Sequence, residues 1–60
     1  MEDIMHYTIK VYKKDGSILY TLNTTDSYQA RSHYFGAAKA NKEVGKTECY
    51  MEDKLIGTRG

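Results

Sequence analysis

Sixty residues with no proline and a single cysteine, Cys49, exclude a second hydrophobic core, an intrachain disulfide and a Pro-rich linker, because a chain this short buries only about 60% of the surface its unfolded form exposes. Nine basic against eight acidic residues leave a formal net charge of +1, without the basic excess of a dedicated non-specific nucleic-acid or membrane binder. No segment approaches the roughly 20 apolar residues of a membrane span, and the opening MEDIMHYTIK has no apolar run of signal-peptide length. No membrane partner is therefore expected, and the expected location is cytoplasmic.

Single cores of this size rarely supply more than about 3–5 kcal/mol. The lone cysteine removes disulfides as reinforcement, and His6, His33 and Cys49 fall in no zinc-type spacing. Neither a metal nor a cofactor is expected. Self-association is the remaining source of stability, so a homodimer is expected rather than a monomer.

In chain order, residues 1–4 read as a lead-in, with Met5 an alternative start. Met5, Tyr7, Ile9 and Val11 then alternate with His6, Thr8, Lys10 and Tyr12, which makes the first set the core face of a strand. Asp15-Gly16 follows, the dipeptide suited to a two-residue type I′ hairpin, and Ser17 to Thr24 is the return strand. Such a turn pairs Lys14 with Ser17, Val11 with Tyr20, Ile9 with Leu22 and Tyr7 with Thr24. The apolar residues of both strands then share one face. The opposite face is polar except where Tyr12 sits across from Leu19.

Asp26 to Val44 carries the helical period. Asp26 with Gln29 has capping-box form, Ala30, Tyr34, Ala37, Ala38 and Asn41 make the core stripe, and Gly45 is expected just past the end as a C′ glycine. His33 falls on the polar side. Thr47 to Met51 and Leu55 to Arg59 read as a second hairpin. With Asp53-Lys54 as its turn, Met51 faces Ile56, Cys49 faces Thr58 and Glu48 faces Arg59. The expected fold is a single α+β domain over residues 1–60, ββαββ, with two hairpins in one antiparallel-rich four-stranded sheet and the helix across one face. This element order resembles that of the small immunoglobulin-binding bacterial domains, with the hairpins joined edge to edge at the centre; a likeness of order alone implies no function.

No pattern of catalytic residues emerges. His6 and His33 have no orienting partner beside a nucleophile, Cys49 falls on the core face of a strand as an inert thiol would, and the acid pairs Glu2-Asp3 and Glu52-Asp53 occupy a terminus and a turn. The chain is thus expected not to be an enzyme. Six tyrosines and one phenylalanine exceed what one helix-on-sheet core can cover. Tyr7, Tyr20 and Tyr34 belong to the core. Tyr28 and Phe35 lie at the margin of the helix stripe beside Arg31, in the residue types that protein interfaces favour. Tyr28, Arg31 and Phe35 are the expected protein interface, with Tyr12 and Leu19 as a second patch.

The leading expectation is a non-enzymatic module that binds and blocks a protein target. In size and style the chain resembles the small accessory proteins of phages and mobile elements, which implies stoichiometric inhibition of a host enzyme and residence in the host cytoplasm. The alternative is a small nucleic-acid-binding module using Lys10, Tyr12, Lys13 and Lys14 on the basic hairpin face.

Overall fold

The structure is a computed structural model that describes residues 4–60. The first three residues of the expected lead-in lie outside the described part. Four strands and a helix follow in the order β1 (Tyr7–Lys13), β2 (Ile18–Thr24), α1 (Ser27–Ala40), β3 (Val44–Met51) and β4 (Lys54–Arg59). The strands form one sheet in the order β2-β1-β3-β4, and every neighbouring pair is antiparallel. The two hairpins meet through β1 and β3, and α1 lies across one face of the sheet. The fold is therefore the ββαββ α+β arrangement.

The core is small. Ile9 and Val11 are fully buried, and Ala30, Ala37, Val44 and Cys49 complete the buried apolar set, with Tyr7, Leu19, Tyr20, Leu22 and Tyr34 packed around it. Small alanines on the helix let it approach the β-branched residues of β1 closely, as densely packed interiors require. Met5, placed on the core face by alternation, is 41% exposed because β1 begins only at Tyr7.

The first hairpin keeps the expected register from Val11 back: Val11 opposes Tyr20, Ile9 opposes Leu22 and Tyr7 opposes Thr24. Its turn is one residue longer than expected. Lys13 rather than Lys14 bonds to Ser17, its N–H donating to the Ser17 carbonyl at 2.7 Å, while Gly16 takes a left-handed φ of 94° and donates to the Lys13 carbonyl at 3.0 Å. Asp15 accepts from the Ser17 N–H and hydroxyl and locks the loop. The extra turn residue is cancelled by a bulge, since Tyr12 pairs with Ile18 and Leu19 is the residue left over. The expected Tyr12–Leu19 pair does not form: Leu19 packs toward the core and Ile18 is exposed.

Asp26 caps the helix, its Oδ1 accepting from the Tyr28 and Gln29 amides at 2.9 and 3.3 Å. The reciprocal half of the box is relayed. The Thr24 hydroxyl donates to Gln29 Oε1 and accepts from the Asp26 N–H, each at 3.0 Å. The helix stops at Ala40, four residues before the expected end. Asn41 is extended, and its Oδ1 accepts from the Glu43 N–H at 2.8 Å, a side-chain bond that competes with helical continuation. Val44 is then free to enter β3 and the core. Gly45 is consequently not a helix cap. It sits at a β1–β3 register shift, where a β-carbon would lie 2.7 Å from Lys14 Cα.

The second hairpin turns one residue earlier than expected, with Glu52 and Asp53 at φ of 50° and 70° and Met51 opposing Lys54. Both angles suit a type I′ turn. Glu52 is held there by exchange with His6: the Glu52 N–H donates to the His6 carbonyl at 2.9 Å, and Glu52 Oε2 accepts the His6 N–H at 2.7 Å. A bulge at Ile56 then sets Cys49 against Gly57, Glu48 against Thr58 and Thr47 against Arg59. The expected Met51–Ile56, Cys49–Thr58 and Glu48–Arg59 pairs are replaced.

Candidate functional site

The shift in β4 decides the surface. Thr47 is a buried residue of the helix-facing side, so its partner Arg59 also belongs to that side. The Arg59 guanidinium lies 4.8 Å from the centre of the Phe35 ring, and Phe35 stacks edge-on against Tyr34 with centroids 5.0 Å apart. Helix α1 covers β1 and β3 but leaves β4 at the edge, and between them runs a groove of about 250 Å³ lined by Arg31, Tyr34, Phe35, Cys49, Ile56 and Gly57. Phe35 and Ile56 are each 49% exposed along it. Two of the three expected interface residues on the helix, Arg31 and Phe35, are brought together here. Tyr28 is 79% exposed and does not line the groove.

Ile56 and Arg59 are the participants that sequence reading missed. The expected β4 register sets Ile56 against Met51 and Arg59 against Glu48, and the bulge overrides both, so no local pattern identifies them.

The far side of the sheet carries a different constellation. Glu48 opposes Lys10, and its Oε1 accepts the hydroxyls of Tyr12 at 2.8 Å and Tyr50 at 2.9 Å. Lys46 approaches Glu48 Oε2 at 3.6 Å and lies 4.6 Å from the Tyr12 ring centre, and Lys10 lies 4.9 Å from that of Tyr50. The Tyr12 hydroxyl, foremost among these partners, holds the Glu48 carboxyl below its usual range, while the bond to Glu48 raises both phenols. The arrangement sets two lysines around one carboxylate, which leaves one positive charge in excess.

Of the basic residues grouped with Tyr12 by sequence, only Lys10 shares this constellation. Lys14 sits in the β1–β2 turn, where its N–H donates to the Glu43 carbonyl at 3.0 Å, and Lys13 pairs with Val44. The stripe of Lys10, Tyr12, Lys13 and Lys14 is therefore broken into an open-face pair and a hairpin tip.

His33, expected on the wet side, is half-buried against Tyr20, whose hydroxyl lies 3.1 Å from His33 Nδ1. Cys49 lies in the core on β3, where burial pushes its thiol up; no hydrogen bond joins it to either histidine. Among the described residues no group of three or more His, Cys, Asp or Glu is placed to hold a metal ion, and no helix there is long and apolar enough to cross a membrane. Comparison with protein-family models, with curated proteins and with solved structures gives no match.

Proposed function

We propose that this chain is a non-enzymatic protein-binding module that works in the cytoplasm by covering part of a partner's surface. The observation that carries the reading is the helix–β4 margin, where Phe35 and Ile56 stand half-exposed beside Arg31 and Arg59. Phenylalanine and isoleucine gain nothing from water, whereas a partner that covers them gains about 25 cal/mol per Å² of apolar area. Aromatic and arginine side chains around a groove are the usual anchors of binding energy. Such a module suits stoichiometric inhibition, because it needs no chemistry of its own. Tyr28 lies two helical turns before Phe35 on nearly the same side of α1 and extends the surface past the groove. A homodimer remains part of the reading on the grounds of core size, with the free edge of β2 and the exposed Ile18 as its surface.

The test is photocrosslinking in lysate of the native host, with a benzophenone amino acid at position 35 and, separately, at position 12. A discrete protein adduct at position 35, competed by unmodified protein, is expected. Adducts confined to position 12 would overturn the assignment.

A second reading has one observation in its favour. Tyr50 joins Tyr12 on the open sheet face with Lys10 and Lys46 over the rings, two aromatics where single-strand binders place stacking residues. It requires salt-dependent retention of short single-stranded oligonucleotides that the Tyr12→Ala and Tyr50→Ala variants lose.

A further inference from the structure

We infer that the groove between α1 and β4 takes an acidic peptide segment with one large apolar side chain, the apolar group seated between Phe35 and Ile56 and its carboxylates paired with Arg31 and Arg59. This inference rests on the protein-binding reading and names the class of partner.

Three features of the margin point the same way. First, two arginines neighbour Phe35, one on α1 and one on β4. Arg31 stands one helical turn before Phe35 on the same side of α1, and Arg59 reaches the ring from β4 at 4.8 Å. Neither arginine forms an ion pair among the described residues, where the pairs are His6–Glu52 and Lys46–Glu48. A guanidinium stacked on a ring keeps its N–H fork free in the plane, the geometry that recognises a carboxylate bidentately.

Second, charge around the groove is of one sign. No described Asp or Glu side chain lines it, and none lines the neighbouring groove beyond Tyr34, where Arg59 stands. A basic partner would be repelled there, whereas an acidic one is steered in.

Third, the space and the edge suit a peptide. About 250 Å³ falls below the roughly 300–1,000 Å³ of pockets that enclose small-molecule ligands, which leaves room for a side chain. The outer edge of β4 pairs with no strand in the sheet, so its free N–H and C=O groups run beside the groove and can align an extended chain. A second copy of the chain fits worse. Symmetric pairing through this patch sets each arginine pair against its own copy, and like charges brought together without a counterion are costly.

The experiment is selection of a displayed random dodecapeptide library on the immobilised full chain, in parallel with Phe35→Ala and the double variant Arg31→Glu/Arg59→Glu. Enriched peptides are then synthesised and measured by fluorescence anisotropy, with circular dichroism melts confirming that each variant folds. Peptides carrying a large apolar residue close to two or more Asp or Glu are expected. Their affinity should fall about tenfold or more in Phe35→Ala, which loses the apolar anchor, and by at least about a hundredfold in the double variant, which loses two charge-assisted contacts; the charge-reversed protein should enrich Lys and Arg instead. Phe35-dependent enrichment of neutral or basic peptides would overturn the inference and leave the protein-binding reading standing. Absence of any Phe35-dependent peptide, with no protein adduct at position 35, would remove both. Self-association that Phe35→Ala abolishes would assign the groove to a second copy and likewise overturn the inference.

Discussion

The hydroxyl of Tyr34 stands over Gly57 so closely that a β-carbon on the glycine would lie 2.7 Å from it. Tyr34 lines both grooves of the helix–β4 margin, so this contact is the partition between them. It exists because the β4 bulge brings a residue without a side chain opposite Cys49, where the ring needs room.

Replacing Gly57 with alanine should therefore displace the Tyr34 ring and lower stability by about 1 kcal/mol, the low end for overpacking because a side-chain tip can move aside. Gly45→Ala should cost more, about 2–3 kcal/mol, since its β-carbon meets the Lys14 backbone at 2.7 Å. Urea unfolding of both variants checks the order; equal losses would mean that Tyr34 is held as firmly as backbone.

The β3–β4 turn holds two non-glycine residues at positive φ. Asp53→Gly should relieve strain and raise stability by about 0.5–1 kcal/mol, after allowing for the freer unfolded chain. Glu52→Gly should not, because it removes the carboxylate that accepts from His6. Thermal melts that show the same gain for both would refute a structural role for the His6–Glu52 exchange.

Acid should weaken the fold through Glu48. Its folded-state pKa is depressed, first by the Tyr12 hydrogen bond, so its contribution is present above the unfolded carboxylate value near pH 4.3 and is lost as pH falls through the folded value. Glu48→Gln should be less stable than the parent at pH 7, with the gap closing under acid. Denaturation midpoints between pH 7 and pH 3 test this, and a gap independent of pH would contradict it. Tyr12 and Tyr50 carry the opposite sign: their raised values give stability present below about pH 10 and lost as pH rises through the folded phenols.

Cys49 should react slowly with iodoacetamide at neutral pH, because burial both shields the thiol and raises its pKa. The rate should rise steeply with denaturant as the protein opens. Rapid alkylation of the native chain would reopen the thiol as a nucleophile.

Local chemistry in this chain reached far but stopped at specific places. Alternation placed Ile9 and Val11 in the core and set Val11 against Tyr20, because a one-residue slip would expose both. It failed at the tip, since Asp15-Gly16 serves a two-residue turn or a longer loop with glycine left-handed, and the bulge at Leu19 makes both compatible with the same strand register. The helix start was legible in Asp26, whose cap is built within three residues. Its end was not: Asn41 is polar enough to continue a wet helix face, and only its side-chain bond to the Glu43 N–H ends α1.

The site divides in the same way. That Tyr28 and Phe35 would exceed what one small sheet can cover was readable from composition and helical period, because both depend on residues within two turns of each other. That Arg59 rather than Tyr28 would partner Phe35, and that Tyr50 would share Glu48 with Tyr12, was decided by tertiary structure. Those contacts follow from the β1–β3 pairing and the β4 bulge. The β1–β3 pairing joins segments more than thirty residues apart and leaves no signature in either segment alone, and the bulge follows a turn that His6 holds from the neighbouring β1 end.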